Sequence, residues 1–217
     1  MENLNLILAR LLELQKKYSQ TYRSTHSLSR YSYFELNDAF TSEDILNIGY
    51  RESLMEHVGH LPILATFLHP YLEHSKKVDL GKSLIMLSIH DIAETETGDI
   101  NAFAKTDLQA QDEEEIAKKL LDKSYLIIFE EYEKLESLES KFAQSVDKLA
   151  PLLIEMTQMK IVPMKMKLYP YNMDKIKAKQ RPKHEWDKFL TCLVELMLNN
   201  FETDLINLTK KLFLFEE

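Results

Sequence analysis

Residues 83–99 read SLIMLSIHDIAETETGD, an apolar run that ends in a histidine and a cluster of acidic side chains. Leu80, Leu84, Leu87 and Ile92 fall at helical spacing around it, Asp79 is placed to cap the helix start, and Gly98 marks a turn after the helix. The stretch therefore predicts a core helix with ionisable groups gathered at its C-terminal end. His90 and Asp91 are adjacent, so on a helix their side chains diverge by about 100° and can grip one object beside the helix rather than both enter a core. Glu94 returns to the same side one turn later. Carboxylates at a helix C-terminus oppose the helix dipole by about 0.3–1 kcal/mol each. A bound divalent cation reverses that sign; the alternative is that the helix ends before Glu94 and the groups are solvated.

On either side of this stretch the pattern stays helical. Leu4, Ile7, Leu8, Leu11, Leu12 and Leu14 give a first helix one apolar face. The sequence SLME at Ser53–Glu56 has the form of a capping box, which puts His57 in the first turns of a second helix, with Pro62 predicting a kink near Gly59 and Pro70 an end. Residues 107–137 read as one or two charged helices, with Asp112–Glu115 as a solvated first turn. Phe142, Val146, Leu149 and Leu153 define a further helix with Asp147 at the margin of its apolar side. Phe189, Leu193, Leu196 and Phe201 are spaced for packing in a last one, near Trp186. The Met-rich residues 156–173 read as core filler and an irregular connection rather than a metal box. The tyrosine-rich connection 24–50 is long enough to be a lid or binding loop, or a surface excursion.

Four Gly and six Pro among 217 residues, against plentiful Leu, Lys, Glu and Met, point to an all-α class. The chain is read as one helical domain, 1–217, with a motif core at 51–150. A net charge of −8 argues against a grip on a nucleic-acid polymer, which needs clustered Lys and Arg, though a small anion held by local charges fits. Cys192 is the single cysteine, so neither an intramolecular disulfide nor a cysteine-rich zinc site is expected, and a cytoplasmic setting fits. No apolar run reaches the length of a membrane span, so no membrane partner is expected.

Three stretches, ESLMEH (52–57), HDIAETETGD (90–99) and SVDKLAPLLIEM (145–156), together resemble the HD-domain metal-dependent phosphohydrolases. The extended pattern is similar to the branch that contains the 5′-deoxynucleotidases. The resemblance implies a compact multi-helix bundle in which His57, His90, Asp91 and Asp147 ligate one divalent transition metal ion. Nitrogen and carboxylate donors without thiolate suit Mn, Fe, Co, Ni or Zn. His60 competes with His57 as the ligand, the EH context favouring His57. Glu94 matches the family's catalytic glutamate, and Asp99 an aspartate at the sugar end of the nucleotide. His69, His74 and His184 match no motif and are read as surface or packing residues.

Phosphate also needs a cation beyond the metal. Arg51 is the first candidate because its planar fork suits phosphate oxygens, with Arg23 and Arg30 behind it. The deoxynucleotidase branch carries an Arg-Trp pair near the end of its first helix, where this chain has Tyr22-Arg23. The expectation is a metal-dependent phosphohydrolase acting on a nucleoside 5′-monophosphate, a deoxynucleotide by preference, and by resemblance a homodimer. The alternatives are another nucleotide or small phosphate ester, or a helical regulatory module with a structural metal.

Overall fold

A computed structural model describes residues 4–23, 51–99, 106–157, 159, 162–168 and 172–213. The connection 24–50, with Arg30, lies outside the described residues. The helices are α1 (Leu4–Gln20), α2 (Leu54–Leu68), α3 (Leu80–Ile89), α4 (Glu94–Thr97), α5 (Asp107–Leu120), α6 (Lys123–Lys134), α7 (Leu138–Thr157), α8 (Val162–Leu168), α9 (Met173–Gln180) and α10 (Lys188–Phe213). Short 3-10 turns at His69–Tyr71, Ser75–Lys77 and Arg181–Lys183 join them. The expected all-α class is what forms: among the described residues the β-type pairing is a lone bridge, Tyr22 to Ser53.

Local chemistry sets the boundaries. Ser53 caps α2 by accepting from the Glu56 N–H at 3.3 Å while Glu56 Oε2 accepts from the Ser53 N–H at 3.0 Å, the capping box read in the sequence. The helix continues through Pro62 and gives way at Leu68 to the 3-10 turn that holds Pro70. Asp79 caps α3 by accepting from the Lys82 N–H at 3.1 Å. α3 ends sooner than the apolar pattern implies. His90 is its C-cap, and the N–H groups of Ile92, Glu94 and Thr95 donate to carbonyls three residues back, so Glu94 opens a separate turn. Gly98 ends that turn at φ +75°, a conformation glycine adopts without strain.

Two further expectations change. Asp112–Glu115 lie well inside α5 rather than in its first turn, because Thr106 and Gln109 form a capping box upstream. Along α10 the buried set is Leu190, Val194, Met197, Leu198 and Phe201, while Leu196 is exposed; the real face is rotated from the one the spacing suggested.

α2, α3, α7 and α10 share one core, with Leu61 and Ala65, Met86 and Leu87, Phe142, Val146 and Leu149, and Leu190, Leu198 and Phe201 buried. Truncating one such Leu to Ala costs about 2–5 kcal/mol. A smaller cluster of Tyr18, Leu54, Ile92, Ala117 and Phe129 ties in α1, α5 and α6. Three elements bridge the two clusters: Leu54 and Leu61 on α2, Leu87 and Ile92 around the end of α3, and Phe129 and Tyr132 on α6. His57 and His90 fall on those bridging stretches, so polar groups are forced into the seam between two apolar bodies. On α1, by contrast, Leu8, Leu11 and Leu12 are exposed, while Tyr18 near its C-terminal end is buried in the smaller cluster.

Candidate metal centre

Four of the sequence-predicted residues meet in that seam. His57 arrives from the second turn of α2, His90 and Asp91 from the end of α3, and Asp147 from the middle of α7. His57 and Asp147 are separated by 90 residues in the chain, yet His57 Nε2 lies 3.2 Å from Asp147 Oδ1. His57 Nε2 is also 3.6 Å from Asp91 Oδ2. His90 Nε2 is 3.2 Å from Asp91 Oδ1 and 3.5 Å from Asp147 Oδ1. His57 is 1% exposed and Asp147 3% exposed.

These residues fit a metal ion on three counts. Donors bound at about 2.1 Å to one ion lie about 3.0–3.4 Å apart at octahedral or tetrahedral angles, close to the spacing found. Facing donor atoms of His57, His90 and Asp147 all lie within 4.8 Å of one another. His90 Nε2 is buried and makes no hydrogen bond, the state of a lone pair aimed at a ligand. His90 Nδ1 meets the Leu87 carbonyl at 3.0 Å, which holds the ring and leaves Nε2 for that purpose.

Asp147 divides its oxygens. Oδ1 faces the two imidazoles, while Oδ2 accepts from Lys148 Nζ at 2.6 Å and from the Tyr132 hydroxyl at 3.5 Å. Behind His57, Nδ1 is buried without a hydrogen bond, with Glu52 Oε2 at 3.7 Å. His60 stands on that far side, its Nδ1 3.6 Å from Glu52 Oε1 and 3.2 Å from the Glu56 carbonyl. The fold thus brings His57, not His60, to His90 and Asp147.

The remaining predicted residues divide between rim and support. Arg23 reaches in from the end of α1, with Nη1 2.8 Å from Asp99 Oδ1, 3.2 Å from Asp91 Oδ2 and 3.4 Å from Glu94 Oε2. It is placed there by the backbone. The Arg23 N–H donates to the Glu52 carbonyl at 2.8 Å, and the Leu54 N–H donates to the Thr21 carbonyl at 2.9 Å. Arg51 sits elsewhere: its guanidinium donates to the carbonyls of Arg23 at 2.7 Å and Tyr22 at 3.2 Å. Its fork is occupied in fastening the segment that carries Arg23, so Arg23 and not Arg51 is the arginine facing the carboxylates. Among residues without a forecast role, Tyr132 gave one signal: it falls three residues after Phe129 on a buried face. Lys148 was visible only as the neighbour of Asp147.

Charge in the seam is strongly redistributed. Burial works against a charged His90, but Asp91 and Asp147 prevail and push it up to about 10. Burial works against the Asp147 carboxylate, but Lys148 and both histidines hold it well below the usual range. His90 and Arg23 do the same for Asp91. Glu94 goes the other way: burial and the nearby Asp91 push it up to about 9 despite Arg23. A cation among these groups would discharge the histidines and favour the ionised Glu94.

The model of the HD domain matches residues 43–186. In fold the chain is similar to the crystal structure of a predicted metal-dependent phosphohydrolase from Magnetospirillum magnetotacticum, at 24% identity and a TM-score of 0.71, covering 93% of this chain and 96% of that one. It is also similar to a protein from Pyrococcus horikoshii, at 21% identity and a TM-score of 0.59, covering 91% of this chain and 99% of that one. No curated protein gives a match. Among the described residues no helix is long and apolar enough to cross a membrane.

Proposed function

The chain belongs to the HD domain family, and from that premise we propose that it is a metal-dependent phosphohydrolase that removes the 5′-phosphate from a nucleoside monophosphate, a deoxynucleotide by preference. The observation that carries the reading is the convergence of His57, His90, Asp91 and Asp147 in a buried seam with Glu94 beside them. In this reading those four hold one divalent ion. When bound, the ion supplies a more acidic water and polarisation of a phosphoryl oxygen.

The chain's own groups do the rest. Glu94 takes a proton from the attacking water as its oxygen bonds to phosphorus, and returns one to the departing 5′-oxygen as the P–O bond breaks. Glu94 suits this because it is buried and touches Arg23, yet is not among the donor atoms grouped around His57, His90 and Asp147. A structural metal would have no need of that carboxylate. Arg23 faces the phosphoryl group, and Asp99 orients Arg23 from the sugar side. Lys148 and Tyr132 keep Asp147 turned toward the two imidazoles. The second subunit of a homodimer is assigned to the exposed Leu8, Leu11 and Leu12 face of α1.

Phosphate release from ribo- and deoxynucleoside monophosphates, measured after metal removal and after reconstitution with single divalent ions, tests the reading. Turnover should require the metal, and Glu94→Gln should lower kcat by about 10²–10⁴-fold with metal content unchanged. Absence of turnover with every metal and every nucleotide rejects the reading; full activity in Glu94→Gln rejects the role of Glu94 alone.

A further inference from the structure

Of the four proposed metal donors, three are held from behind. His90 Nδ1 meets the Leu87 carbonyl at 3.0 Å, Asp91 Oδ2 accepts from Arg23 Nη1 at 3.2 Å, and Asp147 Oδ2 accepts from Lys148 Nζ at 2.6 Å. His57 differs: its Nε2 faces Asp147 Oδ1 at 3.2 Å, while its Nδ1 is buried and makes no hydrogen bond. A neutral imidazole that gives the Nε2 lone pair to a cation carries its one proton on Nδ1. In a residue that is 1% exposed, that proton needs an acceptor from the protein.

Glu52 stands where that acceptor is needed. Its Oε2 lies 3.7 Å from His57 Nδ1, about 0.5 Å beyond hydrogen-bond reach, a gap that a small turn about the side-chain torsions closes. The backbone around it is pinned. The Glu52 carbonyl accepts from the Arg23 N–H at 2.8 Å, the Ser53 N–H donates to Glu56 Oε2 at 3.0 Å, and the Leu54 N–H donates to the Thr21 carbonyl at 2.9 Å. Donor atoms of Glu52, His57 and His60 lie within 4.8 Å of one another, close enough to take a second ion instead. Two features speak against that occupant. His60 Nδ1 lies 3.2 Å from the Glu56 carbonyl, the place of a donated proton rather than of a free lone pair. A second ion on His57 Nδ1 would also require the ring to lose its last proton.

We propose that Glu52 is a positioning residue for the metal centre: its carboxylate accepts the Nδ1 proton of His57, fixes the tautomer that presents Nε2 to the cation and makes that nitrogen a stronger donor. The glutamate that opens the ESLMEH stretch thereby gains a task, and one residue serves two walls of the site, its carbonyl holding Arg23 and its carboxylate holding His57. The proposal rests on the metal-centre part of the functional reading and not on the reaction.

Zinc alone is the probe, because it is diamagnetic. Its affinity and stoichiometry are measured by competition with a chromophoric chelator for wild type, Glu52→Ala, Glu52→Gln and His60→Gln, and the His57 Nδ1 proton is followed by NMR in the zinc-loaded proteins. Wild type should bind one zinc per chain and show that proton as a slowly exchanging, downfield resonance. In Glu52→Ala zinc affinity should fall about 10–100-fold, and the resonance should move or vanish while that of His90, held by Leu87, stays. Glu52→Gln keeps an acceptor without the charge and should fall between the two, whereas His60→Gln should bind zinc within about twofold of wild type. Wild-type affinity in Glu52→Ala overturns the proposal, as does a His57 Nδ1 proton that neither Glu52 variant moves; Glu52→Gln alone supplies the second criterion should Glu52→Ala not fold. A second zinc per chain, lost in both Glu52→Ala and His60→Gln, makes the cluster an ion site and overturns it as well. A wild type that binds no zinc removes the proposal together with the metal reading. If zinc is bound and Glu52 makes no difference, the metal reading stands alone. If affinity depends on Glu52 but no ester is hydrolysed, the positioning role stands and the phosphohydrolase reading falls.

Discussion

At the scale of single residues, the contrast between Arg23 and Arg51 shows what a sequence leaves open. Arg51 adjoins the EH motif and Arg23 follows the first helix, but a bridge of backbone hydrogen bonds between Thr21–Arg23 and Glu52–Leu54 decides which one enters the seam. Such pairing depends on the meeting of two distant segments and leaves no periodic trace in either. His184 is a second case. Without a motif it reads as a packing residue, and it is fully buried. Burial and the nearby Lys183 push its pKa down from 6.5 to about 4. The unfolded chain takes up this proton near pH 6.5 while the folded chain resists it, so the associated stability is present above pH 6.5 and is lost as pH falls toward 4. The loss amounts to up to about 3 kcal/mol. Chemical denaturation at pH 7 and pH 5 should show wild type losing more stability between the two than His184→Gln; equal losses would contradict the assignment.

At the scale of elements, helix starts were the most legible feature, because capping is a local bargain between a side chain and backbone a few residues away. Ser53 and Asp79 begin their helices where the sequence placed them. Replacing Ser53 by Ala should cost about 1 kcal/mol in urea unfolding, since the Glu56 N–H loses its acceptor. Because His57 rides on the first turns of the same helix, weaker metal retention should accompany that loss. Helix ends and faces were less legible. The apolar pattern runs past Ile89, but the chain tightens into three-residue turns after His90, which sets Asp91 and Glu94 toward Arg23. On α10 apolar residues occur on more than one side, so spacing alone could not tell that Leu196 faces outward while Leu190 and Leu198 are buried.

At the scale of the molecule, the all-α class followed from composition and period, whereas the site became legible only through the resemblance of three separated motifs to the HD-domain phosphohydrolases. Neither His57 nor Asp147 stands out by itself; the ordered set of His57, His90–Asp91 and Asp147 does. The exposed leucines of α1 belong to this scale too. Sedimentation equilibrium should find a dimer in wild type and a monomer in the Leu8→Glu, Leu12→Glu double variant, with the helix content unchanged. A wild type that stays monomeric at tens of micromolar would remove that face from the assembly.

The distance along the chain between His57 and Asp147, 90 residues, also sets a schedule. A ribosome adds roughly 5–20 residues per second, so His57 waits about 5–20 s for the residue that completes its surroundings. During that interval a nascent chain exposes two histidines and an unmatched apolar seam. The seam thus closes only once α7 has been made, and a shortened transcript that stops before α7 would yield a chain with an open seam and without Asp147.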